Sequence, residues 1–211
     1  MKKLLVLSAF CLSFGSAMAA IVDGVRVKPV PSATQGFAAS ETTDTYFYLY
    51  NVDAQAFFTE GNSWGTQVSL GSTGLKAAFI LDGEGPAYLF NDYSLAKKAW
   101  KQVFFDNENA MFVDHNGQAN YRWGVEDNGE TFRLYAAGEE DGNPGWDTTI
   151  DEETGEETEH PAYREGMYMG WVKGSSSTAC VPYLPVADEN CINWAFVDEE
   201  VYSAFIAEIA V

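Results

Sequence analysis

From Asp44 onward the apolar residues come in short runs, and turn-forming residues punctuate them. Tyr46 to Val52 is aromatic and β-branched. Ala56-Phe57-Phe58-Thr59 follows the turn at Asp53-Ala54. Gln67-Val68-Ser69-Leu70 alternates polar and apolar, as a half-buried strand does, and Lys76 to Leu81 is a fourth run. Glu60-Gly61-Asn62, Gly71-Ser72-Thr73-Gly74 and Asp82-Gly83-Glu84-Gly85 separate them. This is the pattern of a closed or sandwich-like all-β domain.

The frame recurs. Leu49, Leu89 and Leu134 each open a stretch that closes on an aromatic residue: Phe79, Trp123 and Trp194. The spacings are 30, 34 and 60 residues. The third frame carries an acidic insert over 139–164, and without those 26 residues it returns to 34. Self-similarity at such a period predicts supersecondary units too small to bury their own apolar faces, three of them with about four strands each.

Two segments break the β rhythm. Ser94 as N-cap, then Leu95, Lys97, Lys98, Trp100 and Lys101, predicts a short helix over 94–105. Residues 198–211 predict a C-terminal helix. Asp198, Glu199 and Glu200 suit its positive end, and Val201, Ala204, Phe205 and Ile209 share a face.

The N-terminus changes the picture. Lys2 and Lys3 precede an apolar run from Leu4 to Phe14, and Ala17-Met18-Ala19 is a small-x-small cleavage signature. Residues 1–19 are therefore expected to be a signal peptide. The bulky Phe10 before Cys11 argues against a lipidation site. The product is expected to be exported, to the periplasm, the cell surface or the medium. Residues 20–43 hold Pro29, Pro31, Ser32, Gly36 and Ser40 and are expected to form an extended leader with one short strand near Ile21–Val27. The folded domain is then 44–197.

The formal charge is −19. Cleavage removes Lys2 and Lys3 and makes it −21. Such a surface repels nucleic acid and anionic lipid, so neither is an expected partner. No other apolar run is long enough to span a bilayer, so no membrane insertion is expected after cleavage. Aromatics at 15% make a packed core attainable despite the charge. Oligomeric state is not legible.

Cys180 and Cys191 survive processing. In an oxidising compartment they are a candidate disulfide; the alternative is two buried thiols on neighbouring strands. Without a nearby histidine they make only half a zinc site.

The three-unit layout resembles the β-trefoil and, within it, the ricin-type lectin-like module of exported proteins from Gram-negative anaerobes. The first unit carries the likeness: Tyr48-Leu49-Tyr50-Asn51-Val52, Phe57-Phe58-Thr59, then Gly61-Asn62-Ser63-Trp64-Gly65-Thr66-Gln67-Val68-Ser69-Leu70-Gly71. The resemblance covers about residues 44–197. It implies a short barrel with a triangular cap, and Phe79, Trp123 and Trp194 as equivalent core residues. It also implies a sugar site in each unit, built from an early Asp, a stacking aromatic and a Gln two residues before the closing aromatic. Here those positions hold Thr59, then Gly71, then Ala77, Tyr121 and Ile192. The family's sugar-binding residues therefore do not carry over.

Candidate chemistry is sparse. His115 and His160 stand apart, no serine or cysteine has a nucleophile motif around it, and no cofactor motif is present. An enzyme is not expected. Two loop tryptophans are the better lead: Trp64 beside Asn62, and Trp146 beside Asp147. An indole can stack on a sugar face while the neighbouring amide or carboxylate takes hydroxyls; the alternative for both is a structural role, Trp64 anchoring its loop under the hairpin, which base rates of tryptophan burial favour for Trp64 and leave even for Trp146. The insert holds ten carboxylates between Glu139 and Glu159. Asp141, Asn143 and Asp147 could be set around a calcium ion, but EF-hand spacing is absent, and a solvated, self-repelling loop is the simpler expectation. The expected function is a non-catalytic, carbohydrate-binding module for glycans or glycoproteins. The alternative is a structural or protein-interaction module with no small-molecule ligand.

Overall fold

The computed structural model describes residues 21–22, 25–26, 39–40, 43–62, 65–81, 86–93, 100–107, 110–115, 122–138, 146–150, 157–161 and 164–209. The expected signal peptide and most of the leader lie outside them. The described chain is predominantly β, with one C-terminal helix.

β1 (Ile21–Val22) and β2 (Val25–Arg26) form a small hairpin, and β3 is Ala39–Ser40. β4 (Phe47–Asn51), β5 (Ala56–Gly61), β6 (Gln67–Gly71) and β7 (Lys76–Ile80) match the four runs read from the sequence. β4, β5 and β6 form a meander, and β7 returns to pair with β4, the strand order of a Greek key. β8 (Tyr88–Asn91), β9 (Lys101–Asn107) and β10 (Ala110–His115) continue from β7, and β10 meets β6. The path β4-β5-β6-β10-β9-β8-β7 thus closes on itself as a seven-strand barrel. Ala39–Ser40 of the leader joins it, parallel to β7 at Phe79 and Ile80.

A second closed path shares three of those strands, β4, β7 and β8. β11 (Arg122–Asn128) pairs with β12 (Thr131–Gly138), β12 with β18 (Trp194–Val197), and β18 with β4. Ala87 and Trp123 exchange backbone hydrogen bonds of 3.1 and 2.8 Å and link β11 to the start of β8. Around β4, β7, β8, β11, β12 and β18 every neighbour is therefore joined. Outside this ring lie, among other local antiparallel pairs, β5 with β6, β9 with β10, and β15 (Met167–Val172) with β16 (Val181–Pro185). β17 (Asn190–Cys191) flanks β15 on its other side. The backbones of Val68 and Leu70 hydrogen-bond to Cys180 and Thr178, which ties β6 to the start of β16.

Strand alternation explains the core. In β4, Phe47 and Leu49 point inward, while Tyr48 and Tyr50 point outward under the helix, so the whole strand is buried. Phe79, Trp123 and Trp194 have no exposed surface and belong to one cluster, together with Leu49, Leu89 and Leu134.

α1 spans Glu199–Ile209. Asp198 is its N-cap, its carboxylate accepting the Val201 N–H at 2.8 Å. The face it buries is Val201, Tyr202, Phe205 and Ile206, rotated slightly from the expected stripe so that Ala204 is exposed. Tyr202 stacks on Tyr48 at 3.5 Å between centroids, and Phe205 meets Tyr50 and Phe57 edge-on. Glu199 fastens the first turn, accepting hydrogen bonds from the Tyr46 and Tyr48 hydroxyls and pairing with Lys76 at 3.3 Å.

Two expectations are corrected. Residues 101–105 of the predicted 94–105 helix belong to β9, and 94–99 lie outside the described residues. Phe104 stacks on Phe112 of β10, and Val103 and Phe105 enter the core, so a period of two prevails over the helical reading. The acidic insert is not wholly loop. Its residues form β13 (Trp146–Ile150) and β14 (Glu157–Pro161), a hairpin that has no further strand partner among the described residues.

Candidate functional site

A groove of about 190 Å³ opens where the β11–β12 hairpin meets β15, lined by Val125, Glu126, Tyr135, Gly166, Met167 and Tyr168. Register sets its walls. On β11–β12, Val125 faces Leu134 toward the core, while Gly124 faces Tyr135 and Glu126 faces Arg133 on the outer surface. The Tyr135 ring lies across Gly124, so any Cβ at that glycine would run into the ring. Behind it Tyr135 packs on Tyr168, Leu184 and Ile192.

Glu126 is held from two sides. The Tyr168 hydroxyl donates to its Oε2 at 2.8 Å, and Arg133 pairs with its Oε1 at 3.4 Å. The Glu126 side chain remains 46% exposed, so its free lone pairs face solvent. Arg133 makes two further contacts: its Nε donates to Asn193 Oδ1 at 3.3 Å, and its guanidinium lies 5.2 Å from the Tyr168 ring centre. Burial raises the Tyr168 pKa, the bond to Glu126 raises it further, and Arg133 opposes both. The phenol therefore stays protonated and keeps donating to the carboxylate.

This arrangement offers an oriented carboxylate beside two aromatic rings and a thioether. Its size is well below the ~300 Å³ of a drug-sized pocket. Of the two rings only Tyr135 is partly open, since Tyr168 is 6% exposed and Arg133 lies over it. Among the described residues no cluster of histidine, cysteine and carboxylates could hold a metal ion, and no helix is long and apolar enough to cross a membrane.

The residues singled out from the sequence lie elsewhere. Asn62 is exposed, at φ 69°, and closes its own turn. Its Oδ1 accepts the Gly65 N–H at 2.9 Å, and its Nδ2 donates to Gln67 at 3.2 Å. Trp64 lies outside the described residues, as do Asp141 and Asn143. Trp146 and Asp147 open β13, their backbones opposite Pro161 and His160; their side chains are outside the description. His115 ends β10 edge-on to Phe104. Cys180 and Cys191 are both buried and unbridged. Val181 pairs with Gly170 and Cys191 with Trp171, so the two cysteines approach β15 from opposite sides. Burial pushes the Cys180 thiol far up, which keeps it protonated and inert.

Glu126, Tyr135, Met167 and Tyr168 carried no signal of their own in the sequence. Glu126 and Tyr168 stand 42 residues apart, across the acidic insert. The one available clue was the alternation Gly124-Val125-Glu126 against Arg133-Leu134-Tyr135 around an Asn128-Gly129 turn, which predicts their pairing. No protein-family model, curated protein or solved structure matches the chain.

Proposed function

We propose that this chain is an exported, non-catalytic binding module of trefoil-like form that holds one sugar residue of a glycan in the groove between β11, β12 and β15. The groove carries the reading: the Glu126 carboxylate, oriented by Tyr168 and Arg133 yet exposed, stands beside Tyr135 and Tyr168 in a space the size of one ring. Carboxylate plus aromatic wall is the usual means of taking a sugar's hydroxyls and apolar face together.

Support for the trefoil-like form comes from the ladders. Opening and closing strands meet at Phe47 and Ala77, at Ala87 and Trp123, and at Phe132 and Trp194. The local pairs β5–β6, β9–β10 and β15–β16 fall at corresponding places between them. The export reading rests on Lys2, Lys3, the Leu4–Phe14 run and Ala17-Met18-Ala19. The structural-module alternative is favoured by Asn62, whose amide is spent inside its own turn.

With so few polar groups the affinity is expected between about 1 mM and 10 μM, some 4–7 kcal/mol. Titration of the mature protein with a glycan panel, followed by amide chemical shifts, should move Val125, Glu126, Met167 and Tyr168. The shifts should vanish in Tyr135→Ala and Glu126→Ala while both variants keep a cooperative melt. A signal lost in Trp64→Ala or Trp146→Ala and retained in the groove variants would move the site to the loops.

A further inference from the structure

Resting on the sugar-site reading, we infer that the groove discriminates by ligand charge: it accepts neutral and amino sugars and rejects uronic, sialic and sulfated ones. The lining holds one formal charge, the exposed Glu126 carboxylate. Its neighbours along the chain add to it. Asp127 follows Glu126 on β11, and Glu165 precedes Gly166 of the lining; both are exposed.

The nearby cations are spent on other partners. Arg133 faces Glu126, Asn193 Oδ1 and the Tyr168 ring, with only 17% of its side chain exposed. Arg164, which leads into the Gly166 turn, lies 4.4 Å from the centre of the Tyr183 ring. An anionic sugar seated here therefore meets a carboxylate, and among the described residues the nearest guanidinium, that of Arg133, already shares its charge with that carboxylate. To pair with Arg133 it would have to compete with Glu126 for the same guanidinium. A sugar ammonium meets the opposite situation, an exposed carboxylate with lone pairs to spare.

The magnitude follows from one like-charge contact. At about 6 Å and an effective dielectric of about 40, it weakens binding roughly tenfold. The surrounding field of a chain at −19 adds to this, and added salt screens that part.

The test is a matched panel: glucose and galactose oligosaccharides, their amino counterparts, and the corresponding uronic acids, sialosides and sulfated forms. Binding is measured at low and at about 0.5 M salt, for the wild-type protein and Glu126→Gln. The expected result is binding of neutral and amino sugars, at least tenfold weaker binding of the acidic forms, and a gap that narrows with salt and closes in Glu126→Gln. The readout is the ratio of acidic to neutral binding within each protein, so a change of neutral-sugar affinity in Glu126→Gln does not enter it; if Glu126→Gln binds no sugar, an acidic-to-neutral gap in the wild-type protein that does not narrow with salt overturns the charge selection. Acidic sugars binding as tightly as neutral ones would overturn the charge selection and leave the sugar reading standing. A gap that persists unchanged in Glu126→Gln would also overturn it, because the discriminating charge then lies elsewhere. If no sugar of any class binds, both fail.

Discussion

Trp123 and Trp194 close corresponding stretches and are equally buried, with no exposed surface on either. They differ in one bond. The Trp194 indole N–H donates to the Met169 carbonyl at 3.0 Å, whereas the Trp123 N–H has no acceptor among the described residues. Replacing each by Phe removes a similar volume, at a shared packing cost of roughly 1–3 kcal/mol. Trp194→Phe also strands a buried carbonyl, at about 1–3 kcal/mol; Trp123→Phe deletes a buried donor that already lacks a partner and recovers a comparable amount. Trp194→Phe should therefore be the less stable variant by about 2 kcal/mol or more. For a domain of this size that is a gap in Tm of at least ~4–8 °C. Urea unfolding with equal m-values measures it directly. Equal losses, or Trp123→Phe falling further, would refute the hydrogen-bond argument. Near-wild-type stability in both would remove the shared aromatic core as well.

The helix offers a second perturbation. Phe205→Ala should cost about 3–5 kcal/mol and expose the α1 amides to exchange, since Phe205 is buried against Tyr50 and Phe57; unchanged protection would mean that the helix is held by its first turn alone. That turn is pH-sensitive. Burial pushes the Glu199 pKa up, but the hydrogen bonds from Tyr48 and Lys76 and the Lys76 charge outweigh it, so the folded pKa lies below the ordinary value of 4.5. A lowered folded pKa places its stabilisation above the ordinary carboxylate range, to be lost as pH falls below it. The protection factors of the α1 amides, referred to the intrinsic exchange rate at each pH, should fall on acidification, and Glu199→Gln should abolish that step. Finally, both cysteines should resist alkylation in the native protein and count as two free thiols after unfolding, because both are buried and unbridged; a mass showing a closed bridge would overturn this.

The core was legible because burial imposes a period. Leu49, Leu89 and Leu134 and the three closing aromatics announce themselves by spacing, and all six pack together. α1 was legible from Asp198 onward, since capping and a helical stripe are local signals. β9 was misread because its first residues follow a plausible cap at Ser94, and only pairing with β10 shows that Val103 and Phe105 face inward. The groove was not legible. It needs the β11–β12 register to bring Glu126 beside Arg133, and β15 to arrive from beyond the insert with Tyr168. No local pattern encodes that meeting. The indole of Trp64 drew attention through composition, while the neighbouring Asn62 proved to be a turn residue at positive φ.

Ladder closure has a consequence for life in a crowded compartment. A strand with an unpaired side is a template on which another chain can grow, and aggregation begins at such borders. Both closed paths here return to β4, so among the described residues every strand on them has a partner on either side. The β13–β14 hairpin is different: among the described residues neither of its outer sides is paired. Its sequence places Asp147, Glu157, Glu159 and Pro161 along those strands, residues that discourage a third strand from adding. Those carboxylates thus weigh against the addition of a further strand to the ribbon. Neutralising them should speed assembly of the protein, read by light scattering against the unaltered chain, and an unchanged rate would refute the argument.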